Sequence, residues 1–391
     1  MGSPRIVIAS EMGGGWGHLV PLTALASEFL GRGCEVVVLA HEAERARKLF
    51  PPLGVEVIPS PRWRSGKTGF SLNYAQCIWG NGYCDRGTFL AHFAWWRERL
   101  SALRPRFVLT DFAPTALLAA MAGRLPRGAV GTGFTLPPPV VPMPSLHPWL
   151  KLDARALDAA EAALVGTVQG AVSGVSSVAG LFSGALRFLT IFPELDHFEE
   201  RPPERYWGPI LQGVPGGVAA WPSGDGPKVF LYFGAGNRCL EGLLDHLRRL
   251  GVPTIGHIRG LPESERRGLE SPNLWLSGSL FDLDRAASGC DVAVTSGGMH
   301  TTARMLVAGA RVLLCPEQLE QSLLAYRLSR QRLCEWVPFW SDPALARERF
   351  DAAVSSERVG SNARAFAARY AGCDSSATVE AVVQECLEAA G

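Results

Sequence analysis

Neither sign of charge dominates this chain of 391 residues, in which 38 Lys and Arg stand against 37 Asp and Glu for a net charge of +1. Binding along a phosphate backbone needs a basic surface, so nucleic acid is not an expected partner. Paired cysteine motifs are missing as well. The nine cysteines, at positions 34, 77, 84, 239, 290, 315, 334, 373 and 386, form no Cys-x-x-Cys. Several fall within apolar strand or helix patterns, where buried thiols are the ordinary expectation and a reducing cytoplasm the simplest location. No charged leader with an apolar signal core precedes the strand pattern at Arg5–Ser10, which weighs against secretion, and position 6 lacks the Ser or Thr of a myristoylation signal. The dinucleotide-binding fingerprint is incomplete too. Gly13 and Gly15 are followed by His18 rather than a third glycine, and the second strand ends at Ala40-His41 without an acid.

Charge is absent over one long stretch, Ala162–Leu186, whose 25 residues are enough to reach across a bilayer. Gly166, Gly170 and Gly174 recur there every four residues, as on a helix-packing face of a membrane span. Gln169, Ser173, Ser176, Ser177 and Ser183 make the run only mildly apolar. One or two helices packed inside the N-terminal domain are therefore expected in place of a transmembrane span, and a lipid-facing role stays open.

What is present fits a globular α/β protein. The length suggests two domains, and 47% hydrophobic with 19% charged residues is ordinary for that class. Strand and helix patterns alternate in two passes, which specifies parallel sheets with helices on both faces. The first pass has strands near Arg5–Ser10, Glu35–Ala40, Val55–Ile58, Phe107–Thr110 and Ala129–Thr132. The second has strands near Val229–Phe233, Thr254–Ile258, Leu274–Leu276, Val292–Thr295 and Val312–Leu314. Between them Tyr206–Lys228 is rich in Gly and Pro and reads as the linker. The Pro-rich stretch Leu136–Pro148 reads as a rigid loop within the first domain.

Candidate chemistry concentrates after strands. Gly297-Gly298 let the chain turn tightly from a buried strand into a helix starting near Met299. The free amides and positive dipole end of that helix favour an anion, with Ser296, His300 and Thr301 able to add hydrogen bonds. The next strand ends at Pro316 and delivers Glu317, Gln318, Glu320 and Gln321 to the carboxyl edge of the sheet, where open α/β sheets bind ligands. In the first half, Gly13-Gly14-Gly15-Trp16-Gly17-His18 leads into a helix expected to begin near Leu19, with Pro21 in its first turn. Asp282-Leu283-Asp284 has the form of a metal-binding Asp-x-Asp, yet it opens a helix where acids are favoured by the dipole, so no metal is expected there. Between Pro61 and Trp96 aromatic residues are dense. Phe89, Phe93 and Trp96 fall at helical spacing and are expected in the core, whereas Trp63 and Trp79 are candidates for lining a pocket for a flat, apolar ligand.

The stretch from Asp291 to Leu328 resembles the donor-binding motif of GT-B glycosyltransferases of the flavonoid, macrolide and glucuronosyl transferase type. The motif reads His-Gly-Gly, two variable residues, Ser or Thr, Glu three residues on, a Gly-x-Pro strand and Asp/Glu-Gln. The resemblance implies that Gly297, Gly298, His300 and Thr301 contact a nucleoside diphosphate and that Glu320 and Gln321 grip the sugar hydroxyls. Gly-His-Leu-Val-Pro at 17–21 resembles the family's Gly-His-x-x-Pro, which implies that His18 is the general base. Asp111 matches the acid that orients this imidazole, although it could instead cap the helix that follows. Gly234, Gly236 and Asn237 match the glycine-containing turn after the first strand of the donor domain, and Ser279-Leu280-Phe281 the edge that meets the nucleobase.

Two positions depart from the pattern. Ser296 stands where the family has a phosphate-binding His, and Arg304 where it has the Glu that holds the ribose hydroxyls. The second suits a deoxyribose donor such as a dTDP-sugar or an altered ribose contact; Arg304 could equally be a solvated helix residue. The fold implied is two facing Rossmann-like domains with a cleft between them. An acceptor-binding domain is expected over 1–210 and a donor-binding domain over 211–374, with a terminal helix at 375–391 that can pack back on the first. The activity implied is inverting, metal-independent transfer of a sugar from a UDP- or dTDP-linked donor, used as co-substrate with no cofactor, to a hydroxyl of a hydrophobic or aromatic small molecule. A UDP-sugar epimerase of the same fold and a non-catalytic sugar-nucleotide binder remain alternatives.

Overall fold

The computed structural model describes residues 3–63, 70–213, 216–217, 220–280 and 282–391. They form two compact units, one of residues 1–210 with 374–391 and the other of residues 211–373.

Unit 1 runs β1 (Arg5–Ser10), α1 (Trp16–Gly31), β2 (Glu35–Ala40), α2 (Ala43–Leu49), β3 (Glu56–Pro59), α3 (Tyr74–Ile78), α4 (Arg86–Leu103), β4 (Phe107–Asp111), α5 (Pro114–Ala122), β5 (Arg127–Gly131), α6 (Ala154–Gln169) and β6 (Leu186–Leu189). Its six strands pair in parallel in the order β3-β2-β1-β4-β5-β6. Central strands such as Ile6–Ala9 and Phe107–Leu109 are wholly buried, which is why they read as continuous apolar runs and not as alternating ones. Phe89, Phe93 and Trp96 do lie in the core.

Unit 2 runs β7 (Val229–Gly234), α7 (Leu240–Leu250), β8 (Thr254–Arg259), α8 (Glu263–Leu269), β9 (Leu274–Ser277), α9 (Leu283–Ser288), β10 (Val292–Thr295), α10 (Met299–Val307), β11 (Arg311–Leu314), α11 (Leu319–Arg330), β12 (Glu335–Trp336), α12 (Leu345–Ser355) and α13 (Glu357–Arg369). Its sheet is also parallel, in the order β12-β11-β10-β7-β8-β9. Counted from each unit's first strand, the two orders are the same. The chain then returns to unit 1 with α14 (Ser375–Ala390), whose Val379, Val382, Val383 and Cys386 join the core beside α1. Ser375 and Thr378 donate to the carbonyls of Pro209 and Trp207 at 3.1 and 2.8 Å, which fastens the helix start to the end of the first segment.

Three sequence expectations are corrected. Helix α1 begins at Trp16, three residues before Leu19, because Gly15 turns the chain at φ 88° and allows the helix to start at once. Pro21 therefore falls in the second turn. Strands β6 and β12 were not expected from the sequence; Arg187 interrupts the apolar run of β6, and β12 has only two residues. The uncharged stretch 162–186 is packed inside unit 1 as expected, but only part of it is helical. It holds the second half of α6, capped at Asp153, then turns through Gly170 and Gly174, a 3-10 turn at Ala179–Phe182 and the first residue of β6. Among the described residues no helix is long and apolar enough to cross a membrane.

Candidate active site

In a sheet of this order the first and fourth strands are neighbours whose connections leave in opposite directions, so a crevice opens at their carboxyl ends. In unit 1 those strands are β1 and β4, and there the structure brings His18 and Asp111 together. Nδ1 of His18 lies 2.9 Å from Oδ2 of Asp111, a partner 93 positions away, with side-chain exposures of 18% and 6%. A carboxylate accepts, so Nδ1–H donates and the ring lone pair is on Nε2. Asp111 is no helix cap: α5 starts at Pro114 with Ala113 before it and no side-chain cap.

Several features hold this pair. Phe112, which follows Asp111, sits at φ 43°, a left-handed conformation unusual for a bulky residue and of the kind that clusters at functional sites. Its carbonyl accepts from the Met12 amide at 3.0 Å, and its ring stacks on His18 at 6.4 Å between centroids. Gly13 presses its backbone on the imidazole: a Cβ there falls 2.5 Å from Nδ1. The Gly15 amide donates to Glu42 Oε2 at 3.0 Å. Burial pushes the Glu42 carboxyl up, but that amide and Arg45 outweigh it and hold it below its ordinary value.

Glu11, which the sequence reading passed over, is buried at 1% exposure directly after β1. It accepts from the Thr115 amide at 2.8 Å, one of the donors left free at the start of α5. Its other oxygen accepts from Trp63 Nε1 at 2.7 Å. Burial is the largest influence on this carboxyl and raises its pKa despite those hydrogen bonds. The Trp63 ring also packs on Tyr83 and His92, at 4.8 and 4.2 Å between centroids, and over Gly82, where a Cβ has no room. Trp63 is thus half-buried and fixed on three sides. Trp79, also half-buried, opens a π-helical turn at Trp79–Tyr83.

In unit 2 the corresponding neighbours are β7 and β10, with β11 on the far side of β10. Gly297, at φ 92°, turns the chain from β10 into α10, and Gly298 precedes the first helical residue with open space around its Cα. His300 and Thr301 follow in the first turn, half-buried, where amides lie outside the helical ladder. Ser296 Oγ is buried and has no hydrogen-bond partner among the described residues.

The neighbouring candidates divide into holders and exposed groups. Asn237 is a holder: its amide donates to the Cys315 carbonyl at 2.9 Å and accepts from the Cys239 amide at 2.9 Å, tying the loop after β7 to the end of β11. Gln321 is another, with Oε1 accepting from the Glu317 amide at 2.8 Å. Glu317 then lies at the strand ends, its carboxylate accepting from the Gly234 amide at 3.1 Å and 3.5 Å from Arg259. Glu320 is half-buried in the first turn of α11, and Gly236 has open space beside it. Ser279 is exposed after β9, and the Leu280 carbonyl accepts from the Gly217 amide at 3.0 Å. Phe281 lies outside the described residues.

No family model matches the chain, and no curated protein matches it in sequence. Solved structures do match in shape. The spinosyn rhamnosyltransferase SpnG superposes with a TM-score of 0.70 at 16% identity, covering 98% of this chain and 100% of its own. The calicheamicin glycosyltransferase CalG4 gives 0.69 at 17%, covering 99% of each chain. The glycosyltransferase VinC, solved in complex with dTDP, gives 0.67 at 15%, again covering 99% of each. The chain has the GT-B fold.

On this GT-B framework the departure at Arg304 acquires a physical reading. Arg304 is buried at 5% exposure, which overturns the reading of a solvated helix residue. Its Nε donates to Asp284 Oδ1 at 2.5 Å and its Nη2 to the Leu211 carbonyl, so it locks α9 and the linker onto α10. Asp282 caps α9 by accepting from the Asp284 and Arg285 amides at 3.1 and 3.2 Å. Both carboxylates of the Asp-x-Asp sequence therefore serve the GT-B scaffold.

Proposed function

We propose that this chain is an inverting, metal-independent glycosyltransferase that moves a sugar from a nucleoside diphosphate to a hydroxyl of a hydrophobic or aromatic small molecule. The observation that carries this reading is the His18–Asp111 pair at the carboxyl ends of β1 and β4. Nε2 takes the proton of the acceptor hydroxyl as its oxygen attacks the anomeric carbon from the face opposite the leaving group. The bond to the diphosphate breaks and its electron pair leaves with the phosphate oxygen. Asp111 keeps the productive tautomer and stabilises the imidazolium that forms. Amides at the start of α10, with the Ser296 and Thr301 hydroxyls, meet the growing negative charge, so a metal is not required in this reading.

In the same reading unit 1 takes the acceptor, with Trp63 and Trp79 beside it, and unit 2 takes the donor. Gly236 and Gly297 let the diphosphate approach the backbone, Ser279 and Leu280 border the base, and Glu320 addresses the sugar together with the side-chain NH2 of Gln321, whose oxygen is held by the Glu317 amide. A dTDP-sugar is the preferred donor. Arg304 is spent on Asp284 and leaves no acid to hold a ribose 2′-hydroxyl, which a deoxyribose lacks. VinC and SpnG were both solved with thymidine diphosphate, which supports the same choice. The acceptor class is supported by SpnG, which was solved with spinosyn aglycone.

The test is incubation with dTDP-, UDP- and GDP-sugars, with and without aromatic aglycones, following nucleoside diphosphate release. Release that depends on acceptor and is fastest with dTDP-sugars is the expected result. Donor binding without turnover under every condition, or an epimerised donor formed without acceptor, overturns it. A second expectation concerns Gly13→Ala. The new methyl must push the imidazole away from Asp111, so transfer falls by about 10²-fold, the usual cost of displacing a reacting group by about 1 Å. Thermal unfolding moves little, since Gly13 is not held in a left-handed conformation. Undiminished transfer by this variant shows that the ring does not need its present position.

A further inference from the structure

Unit 2 contains a cavity of about 440 Å³ whose lining shares no residue with the strand ends described above. It borders the edge strand β12 and is closed by the end of α11 and the starts of α12 and α13. Four guanidinium groups line it, those of Arg330, Arg332, Arg349 and Arg358, against a single carboxylate, Glu335. In a chain with a net charge of only +1 this is a strong local excess.

Three of these arginines keep donors that no described residue takes up. Arg349 Nη1 donates to Glu335 Oε2 at 3.1 Å, but its Nε is buried and has no partner among the described residues. Arg330 lies over the Tyr326 ring at 5.8 Å. Arg332 and Arg358 are exposed, and their guanidinium groups have no acid or hydrogen-bond partner among the described residues. Arg332 sits in a left-handed conformation, φ 56°, just past α11, as Arg104 and Arg124 do past α4 and α5. Planar guanidinium forks beside one concavity are a usual means of holding phosphate oxygens, and Trp336 also lines the cavity.

We propose that this cavity is a second ligand site, which takes a small phosphate-bearing molecule between Arg332, Arg349 and Arg358. The proposal does not rest on the glycosyl-transfer reading. It is tested on the full chain by residue-resolved arginine modification with phenylglyoxal, followed by peptide mass spectrometry at Arg332 and Arg358. Adenosine monophosphate and inorganic pyrophosphate are the phosphate probes, and adenosine is the control. Only unoccupied sites react, so a phosphate probe at about ten times its Kd slows modification of both residues about tenfold. Adenosine leaves the rates unchanged. Calorimetry with Arg332→Glu/Arg358→Glu, two exposed positions, is expected to show that the binding responsible for protection is lost while dTDP affinity is retained. Rates at Arg332 and Arg358 that neither phosphate alters, or that adenosine alters as much, overturn the proposal. A loss of dTDP binding by the wild-type chain bears on the transferase reading alone, because the modified arginines are not at the strand ends.

Discussion

Replacing His18 with alanine is expected to lower the rate of glycosyl transfer by roughly 10²- to 10⁴-fold, the range that a positioned proton acceptor contributes. Donor affinity should stay within about twofold, because in the proposed reaction the group removed acts on the acceptor hydroxyl as the bond forms. Asp111→Asn is the more discriminating variant. A carboxylate can only accept, and it fixes the proton on Nδ1; an asparagine can turn its amide toward the ring and stabilise the opposite tautomer, with the proton on Nε2. That ring has no lone pair where the hydroxyl proton must go. Asp111→Asn should therefore lose kcat nearly as fully as His18→Ala while KM for the acceptor hardly moves. The double variant should be little worse than either single one, as for groups that act as a unit. Steady-state kinetics with donor binding measured separately by calorimetry decide the matter. Full turnover by His18→Ala removes the assigned base, and additive losses in the double variant remove the coupling between the two residues.

Much of this was legible in the sequence, and the reason is geometric. In a parallel α/β unit every ligand-facing loop follows a strand, so an apolar run with a glycine turn or an acid directly after it announces its own place. His18 and Gly297 come after strands this way, Asp111 and Gly234 end them, and five of the six strands of each sheet emerge from the same alternation. What the sequence concealed is which groups hold the others. Glu11 reads as a residue after a strand, and only the packing of α5 and Trp63, 104 and 52 positions away, makes it a buried anchor. Glu42 comes just past the site where a dinucleotide-binding acid was sought, and it binds the glycine turn from there. Glu317 and Gln321 reverse emphasis for a similar reason. The spacing presents Gln321 to a ligand, yet its oxygen is taken by the Glu317 amide, and it is the Glu317 carboxylate that lies against Gly234. Arg304 was ambiguous because its partners, Asp284 and the Leu211 carbonyl, belong to other elements.

Arg201→Ala is expected to cost about 3–5 kcal/mol of stability in unit 1, the range found when one member of a buried ion pair is removed. Arg201 and Asp196 have side-chain exposures of 3% and 1%. Arg201 Nε donates to Asp196 Oδ2 at 2.6 Å, Nη1 to Glu204 at 2.9 Å, and Nη2 to the Leu136 carbonyl at 2.9 Å. Tyr206 donates to the same Asp196 oxygen at 2.8 Å, and Arg187 donates to the Pro137 carbonyl at 2.8 Å and to Glu204. The cluster thus pins the start of the Pro-rich loop after β5. Removing Arg201 strands a buried carboxylate and frees the loop together. Arg201→Met combined with Asp196→Leu should lose far less than Arg201→Ala, since no charge is left without a partner.

The pH dependence has a fixed sign. Burial pushes the Asp196 carboxyl up, but Arg201, the Phe198 amide and Tyr206 outweigh it and hold the pKa below the ordinary value. Its contribution is complete above the unfolded-state pKa of about 4 and is lost as pH falls through the lower folded-state value. The wild type should therefore lose this increment between about pH 4 and the folded-state pKa, whereas Arg201→Met/Asp196→Leu should show a shallower acid limb. Thermal unfolding of the three proteins from neutral to acid pH measures both effects. Equal stability of Arg201→Ala and wild type at neutral pH, or identical acid limbs for wild type and the double variant, shows that the cluster does not hold this loop by its charges.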